Sequence, residues 1–168
     1  MAGKDDSGAA PVNVRTAVKR KSDRELIVTR TFDAPVHIVF QAWVRPELFK
    51  RWWIPKAMGM TVVACEMDVR TGGTYRLEIR HPDFEQPMPF FGKYLEVIPN
   101  ARIVWTNEES EGGAVTTVTF EEQGGKTELT LTERYPTKQA ADEALEGSAA
   151  ALPEQFDELD ELLPTLAP

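Results

Sequence analysis

Glu133 closes the run Leu129-Thr-Leu-Thr-Glu133 and shares the parity of the apolar Leu129 and Leu131. Side chains alternate across a strand, so if the leucines face a core, the carboxylate faces it too. A carboxylate in an apolar interior is costly unless paired, and such groups gather at functional sites. Arg30, Arg76 or Arg80 would be its partner, or else water at the end of the strand. Other reactive side chains are sparse. The only histidines are His37, at the start of a helical pattern, and His81, at a strand end before Pro82. Neither has the neighbours that a metal site or a nucleophilic triad requires. Cys65 lies among Val62, Val63 and Ala64, as a small buried hydrophobe would. Gly125-Lys126-Thr127 imitates the end of a phosphate-binding loop, but the glycine that motif needs five positions earlier is Phe120. The triplet reads as a hairpin turn.

The elements that must position Glu133 are mostly strands. Glu25 to Asp33 is β-branched and ends on a turn former. Pro35 then opens a helix whose Val36, Val39, Phe40, Trp43 and Val44 keep helical spacing, and Pro46 opens a second, short one. Strand patterns follow at 61–67, 75–80, 91–98, 102–107, 114–121 and 126–134, joined by Gly72-Gly73, Pro99-Asn100, Gly112-Gly113 and Gly124-Gly125. Short turns of this kind predict an antiparallel meander. Only 82–89, with its three prolines, reads as a longer loop. Near the C-terminus, Leu145, Ala149, Leu152, Phe156, Leu159 and Leu163 step by four and three, the seam of an amphipathic helix. Pro153 interrupts it, and a bend is expected there.

Composition narrows the classes of function. The chain has 168 residues, a net charge of −8 and one cysteine. An acidic balance lacks the cations that nucleic-acid binding requires. No apolar run is long enough to span a bilayer, and no secretion signal opens the chain, so a cytoplasmic location is the expectation. Residues 1–24 read as a disordered leader, 25–163 as one domain and 164–168 as a flexible end.

The combination of motifs resembles a known family. Arg30-Thr-Phe-Asp-Ala-Pro35 leads into the Val39/Trp43 helix, and Pro46-Glu47 precedes Trp52-Trp53-Ile-Pro55. Asp68-Val-Arg-Thr-Gly-Gly-Thr-Tyr-Arg76 and Gly92-Lys-Tyr-Leu-Glu-Val-Ile-Pro99 follow, with Lys126 to Thr132 and the Phe156 to Leu159 seam after them. Together they are similar to the START-like (SRPBCC) superfamily and, within it, to the family named for the activator of heat-shock-protein-ninety ATPase. Two positions depart from that pattern. Ala151-Leu152 stands where relatives usually have Gly-Trp, and Thr71 where they usually have proline.

The resemblance implies an α+β, helix-grip fold. A curved antiparallel sheet of six to seven strands would wrap a long C-terminal helix, with two short helices after the first strand and a cavity between sheet and helix. It implies binding of a small hydrophobic or amphipathic molecule, with no cofactor or metal. Trp53, Met58 and Met60 would line the entrance. Tyr75, Leu77, Phe91, Trp105, Leu131 and Glu133 would line the sheet side, and Leu152 and Phe156 the helix side. Two alternatives remain open at this level: docking on a chaperone ATPase, and a cyclase, dehydratase or hydrolase on the same scaffold. A monomer is expected, or a weak homodimer seeded by an exposed edge of Trp52 and Trp53.

Overall fold

The structure, a computed structural model, describes residues 16–109, 113–147 and 149–166. Its strands are β1 (Ala17–Ser22), β2 (Glu25–Phe32), β3 (Thr61–Met67), β4 (Thr74–Arg80), β5 (Met88–Ile98), β6 (Arg102–Thr106), β7 (Val115–Gln123) and β8 (Lys126–Arg134). They form one antiparallel sheet in the order β1-β2-β8-β7-β6-β5-β4-β3. The helices are α1 (Val36–Val44), α2 (Pro46–Trp52), α3 (Lys138–Glu146) and α4 (Leu152–Leu162). This is the α+β, helix-grip architecture. β5 is the joint of the sheet: its first half pairs with β4 and its second half with β6, across a register shift between Tyr94 and Glu96. An irregularity of that kind bends a strand.

The eighth strand corrects the reading of a leader reaching residue 24. β1 pairs with β2 from Ala17↔Thr29 to Ser22↔Glu25, and Val18 packs on the core. Its Lys19, Arg20 and Lys21 are exposed, as suits an edge strand that must not recruit another chain. Residues 1–15 of the expected leader lie outside the described residues, as do 167 and 168. Pro164 and Thr165 belong to a 3-10 turn rather than to a loose end.

The turn between β7 and β8 is the hairpin that the sequence predicts. Gln123 faces Lys126, and Gly124 and Gly125 have φ of 60° and 82°, a conformation that β-carbons resist. A second glycine matters for proximity. A β-carbon at Gly92 would lie 2.0 Å from the Thr106 carbonyl oxygen, so β5 and β6 approach there closely only because it is absent. Tyr75, directly opposite Gly92, donates its hydroxyl to that same carbonyl at 2.7 Å.

The C-terminal helix is two helices, and the break does not fall at Pro153. α3 ends at Gly147, a 3-10 turn spans Ala149–Ala151, and α4 starts at Leu152. Pro153 lies in the first turn of α4, where a missing N–H costs nothing. The predicted seam is nonetheless dry from Ala149 on: Ala149, Leu152, Phe156, Leu159 and Leu163 are all buried, and Leu145 is half-buried. α4 is fastened to the sheet by the Arg30 guanidinium, whose side chain is 1% exposed and lies 2.7 Å from Asp157 Oδ1 and 3.2 Å from Asp160 Oδ2. Arg30 also donates to Thr16 Oγ1 at 3.0 Å, tying β1 to the same point. α3 is held at the surface, where Arg20 pairs with Asp142.

Candidate functional site

Between the sheet and the α2–α4 side lies a cavity of about 380 Å³. Its aromatic corner follows from helical spacing in α1 and α2. Trp43 is buried and packs edge-on against Trp52 and Trp53, at centroid distances of 4.8 and 5.9 Å. Phe49 stacks on Trp53 at 4.8 Å, and Trp105 of β6 meets Trp43 at 6.0 Å. Of these rings, Trp43, Phe49, Trp53 and Trp105 face the cavity. Gln155 of α4 donates its side-chain amide to the Trp53 carbonyl and holds the helix against this corner. Trp52 is fully buried beneath, which corrects the expected exposed Trp52–Trp53 edge. The Nε1 of Trp43 is buried with no hydrogen-bond acceptor among the described residues.

The opposite wall is polar. Residues facing one another across neighbouring strands point to the same side of a sheet. Tyr94, Trp105, Thr116, Glu133 and Leu26 form one such row, each opposite the next. Glu133 is thus two strands from Trp105, or about 10 Å at usual strand spacing. Tyr135 donates its hydroxyl to Glu133 Oε1 at 2.7 Å, and Thr116 donates to Oε2 at 3.5 Å. Asn107 continues the chain, its Nδ2 donating to Thr116 Oγ1 at 3.0 Å and its Oδ1 accepting from Tyr75 at 3.5 Å. These partners replace the arginines expected for Glu133: Arg30 is committed to α4, Arg76 to Glu78 at 3.1 Å, and Arg80 donates to the Glu85 carbonyl at 3.2 Å. Burial pushes the Glu133 carboxyl up, and the Tyr135 and Thr116 hydroxyls offset part of that shift. Burial likewise raises the Tyr75 and Tyr94 phenols, so both are neutral donors.

The cavity brings together Trp53, Met58, Met60, Tyr75, Leu77, Trp105, Glu133 and Leu152. Met58 and Phe90, 43% and 38% exposed, mark where it meets solvent. Three expected residues lie elsewhere. Phe91 has the opposite parity to Gly92 and Tyr94, so Phe90 faces inward, and the Arg76 guanidinium covers the Phe91 ring at 5.7 Å. Leu131 faces inward but is sealed between Val28 and Val118. Phe156 is fully buried behind Trp43 and against Phe32. Asn107, Glu109 and Tyr135 were legible only in part: Asn107 shares the parity of Trp105, and Tyr135 lies two residues beyond Glu133. His37 is exposed on α1, and His81 accepts from the Asp83 amide in a turn; neither faces the cavity.

A family model for Activator of Hsp90 ATPase homolog 1-like proteins matches residues 33–164. The chain belongs to that family. Solved structures of the same fold include a Rhodobacter sphaeroides protein, 22% identical, with a TM-score of 0.81 over 90% of this chain and 99% of the other. A Nitrosomonas europaea protein is 23% identical, with a TM-score of 0.77 over 86% and 97%. A Staphylococcus epidermidis protein is 29% identical, with a TM-score of 0.74 over 89% and 96%. No curated relative matches the chain. Among the described residues no helix is long and apolar enough to cross a membrane.

Within this Activator of Hsp90 ATPase homolog 1-like chain, Ala151 and Leu152 both line the cavity at the start of α4. The carboxylate on the far wall gives a prediction about pH. Because its folded pKa is raised, Glu133 imposes no penalty at pH values below the unfolded carboxylate range, about 4. The penalty grows as pH rises from there toward the folded value and is constant above it. Glu133→Gln keeps the hydrogen-bonding shape without the charge. Its melting temperature relative to the unaltered protein should therefore climb between pH 4 and pH 8. A difference that stays flat across that range would contradict the burial argument.

Proposed function

We propose that the protein binds one small hydrophobic or amphipathic molecule in the cavity between the sheet and α4. The supporting observation is the cavity itself: about 380 Å³, aromatic and aliphatic on most sides, with most of its polar side chains on one wall. Ligand pockets are of this size and composition. Affinity would come from apolar surface removed from water, about 25 cal/mol per Å² before the entropic cost of association. Met58, Met60 and Met67 contribute unbranched side chains that adapt to irregular shapes.

Native mass spectrometry of the purified protein, with thermal shift against a panel of lipids and aromatic polyketides, tests the reading. A stoichiometric adduct or a concentration-dependent rise in melting temperature is the expected result. A variant with Leu152→Trp, which restores the bulk usual in the family, should narrow the cavity. It should weaken any ligand so found by about tenfold or more, equivalent to about 1.4 kcal/mol. A bare protein that ignores the whole panel would overturn the proposal and leave docking on a protein partner as the better account.

A further inference from the structure

The charged groups lining the cavity are all of one sign. Glu109 and Glu133 face it, and no lysine, arginine or histidine does among the described residues. Glu109 Oε1 accepts from the Phe91 amide at 3.2 Å, and Glu133 is held by the Tyr135 and Thr116 hydroxyls. Neither carboxylate has a cationic partner among the described residues, whereas Arg30, Arg76 and Arg102 are engaged elsewhere. Among the remaining lining residues, alongside aliphatic ones, are rings whose electron-rich faces attract cations: Trp43, Phe49, Trp53 and Trp105. A carboxylate ligand entering this space would meet two carboxyl groups and no cation to pair with. A ligand with an ammonium group would meet the reverse.

Resting on the reading of the cavity as a ligand site, we infer that its ligand class is a hydrophobic amine. The ammonium sits at Glu133, and the apolar body lies toward Trp105 and Trp53. The row that runs Trp105, Thr116, Glu133 sets the length. Thr116 is the only side chain between ring and carboxylate on that row, and it is small and buried. A body of one or two fused rings carrying a one-carbon amine arm spans the two-strand separation of about 10 Å. The ammonium donates to Glu133, making a charge-assisted hydrogen bond inside a space poor in water. Tyr135 and Thr116 fix the carboxylate's orientation beforehand, so no side chain has to be ordered when the amine arrives.

Three matched probes decide the matter by calorimetry at pH 7: 2-naphthylmethylamine, 2-naphthylmethanol and 2-naphthoic acid. In the unaltered protein the amine should bind about tenfold more tightly than the alcohol, and the acid most weakly. In a Glu133→Gln variant the ratio of amine to alcohol affinity should fall to near one. Equal binding of amine and alcohol in the unaltered protein overturns the amine assignment while leaving the cavity a ligand site. Tightest binding by the acid does the same. A Glu133→Gln variant that folds yet keeps the full amine preference removes Glu133 from the role. Failure of all three probes to bind overturns the hydrophobic-amine assignment, while the ligand-site reading stands or falls with the lipid and polyketide panel. The comparison within the unaltered protein needs no variant, so a misfolded mutant cannot obscure it.

Discussion

Replacing Asp157 and Asp160 together by alanine is expected to lower stability by about 3 kcal/mol, or a melting temperature about 6–12 °C lower for a chain of this size. The reason is the arginine left behind. Arg30 has a side chain 1% exposed on β2, with its guanidinium 5.3 Å above the Phe32 ring. Removing both aspartates leaves that charge buried with Thr16 as its remaining hydrogen-bond acceptor among the described residues. Breaking a buried pair from one side typically costs about 3–5 kcal/mol. The lower figure applies because Asp157 is 49% exposed, so water can reach the vacated side. Each single substitution should cost much less than half, since the other aspartate still holds the guanidinium; the two are coupled through a shared partner. Arg30→Met, which removes the charge itself, should be milder than the double variant. Urea denaturation followed by tryptophan fluorescence measures all four. A double variant within about 0.5 kcal/mol of the unaltered protein would show that the fastening contributes nothing.

The second large effect separates two tryptophans that look alike in the sequence. Trp52→Phe should cost about 2–4 kcal/mol, and Trp43→Phe much less. The Nε1 of Trp52 donates to the Ala42 carbonyl at 2.9 Å. That carbonyl is near the end of α1, and its helical donor four residues on would be Pro46, which has no N–H. Ala42 is fully buried, so water cannot take the indole's place. Phenylalanine at position 52 would therefore leave a buried acceptor unpaired and vacate volume in a dense core. Trp43 differs because its Nε1 is already buried without an acceptor among the described residues. Phenylalanine there removes an unsatisfied donor, which offsets part of the lost packing. Equal losses for the two variants would sink this account of α1's end.

Why the sequence disclosed some features and hid others follows from the same residues. Alternation along β8 gave Glu133 the parity of its leucines, because the strand runs without a bulge; whether it was buried or in water at the strand end stayed open in the sequence. The hairpin at Gly124-Gly125 was legible because positive φ leaves few other choices. β1 was hidden because its only apolar contact is Val18, and its charged side chains are those of a solvated edge as much as of a loose tail. Phe91 was chosen over Phe90 because the strand start was placed three residues late, at the prolines around Met88. Parity then had no anchor. The break before α4 was assigned to Pro153 because that residue is the conspicuous one, whereas the first turn of a helix accepts proline freely. Glu133's partners were less legible: Tyr135 lies just past the end of β8, two residues beyond Glu133, and Thr116 reaches it through strand register, which periodicity does not encode.

Gly92 has a consequence for how tightly the site is calibrated. One methyl group at that position would overlap the Thr106 carbonyl, and only a backbone displacement could relieve it. Trp105 and Asn107 flank Thr106 and both border the cavity. Any such displacement would carry an aromatic wall and a member of the hydroxyl–amide relay away together. The gauge of the chamber is thus set by an atom that is missing, on a strand whose own residue at that point touches no guest.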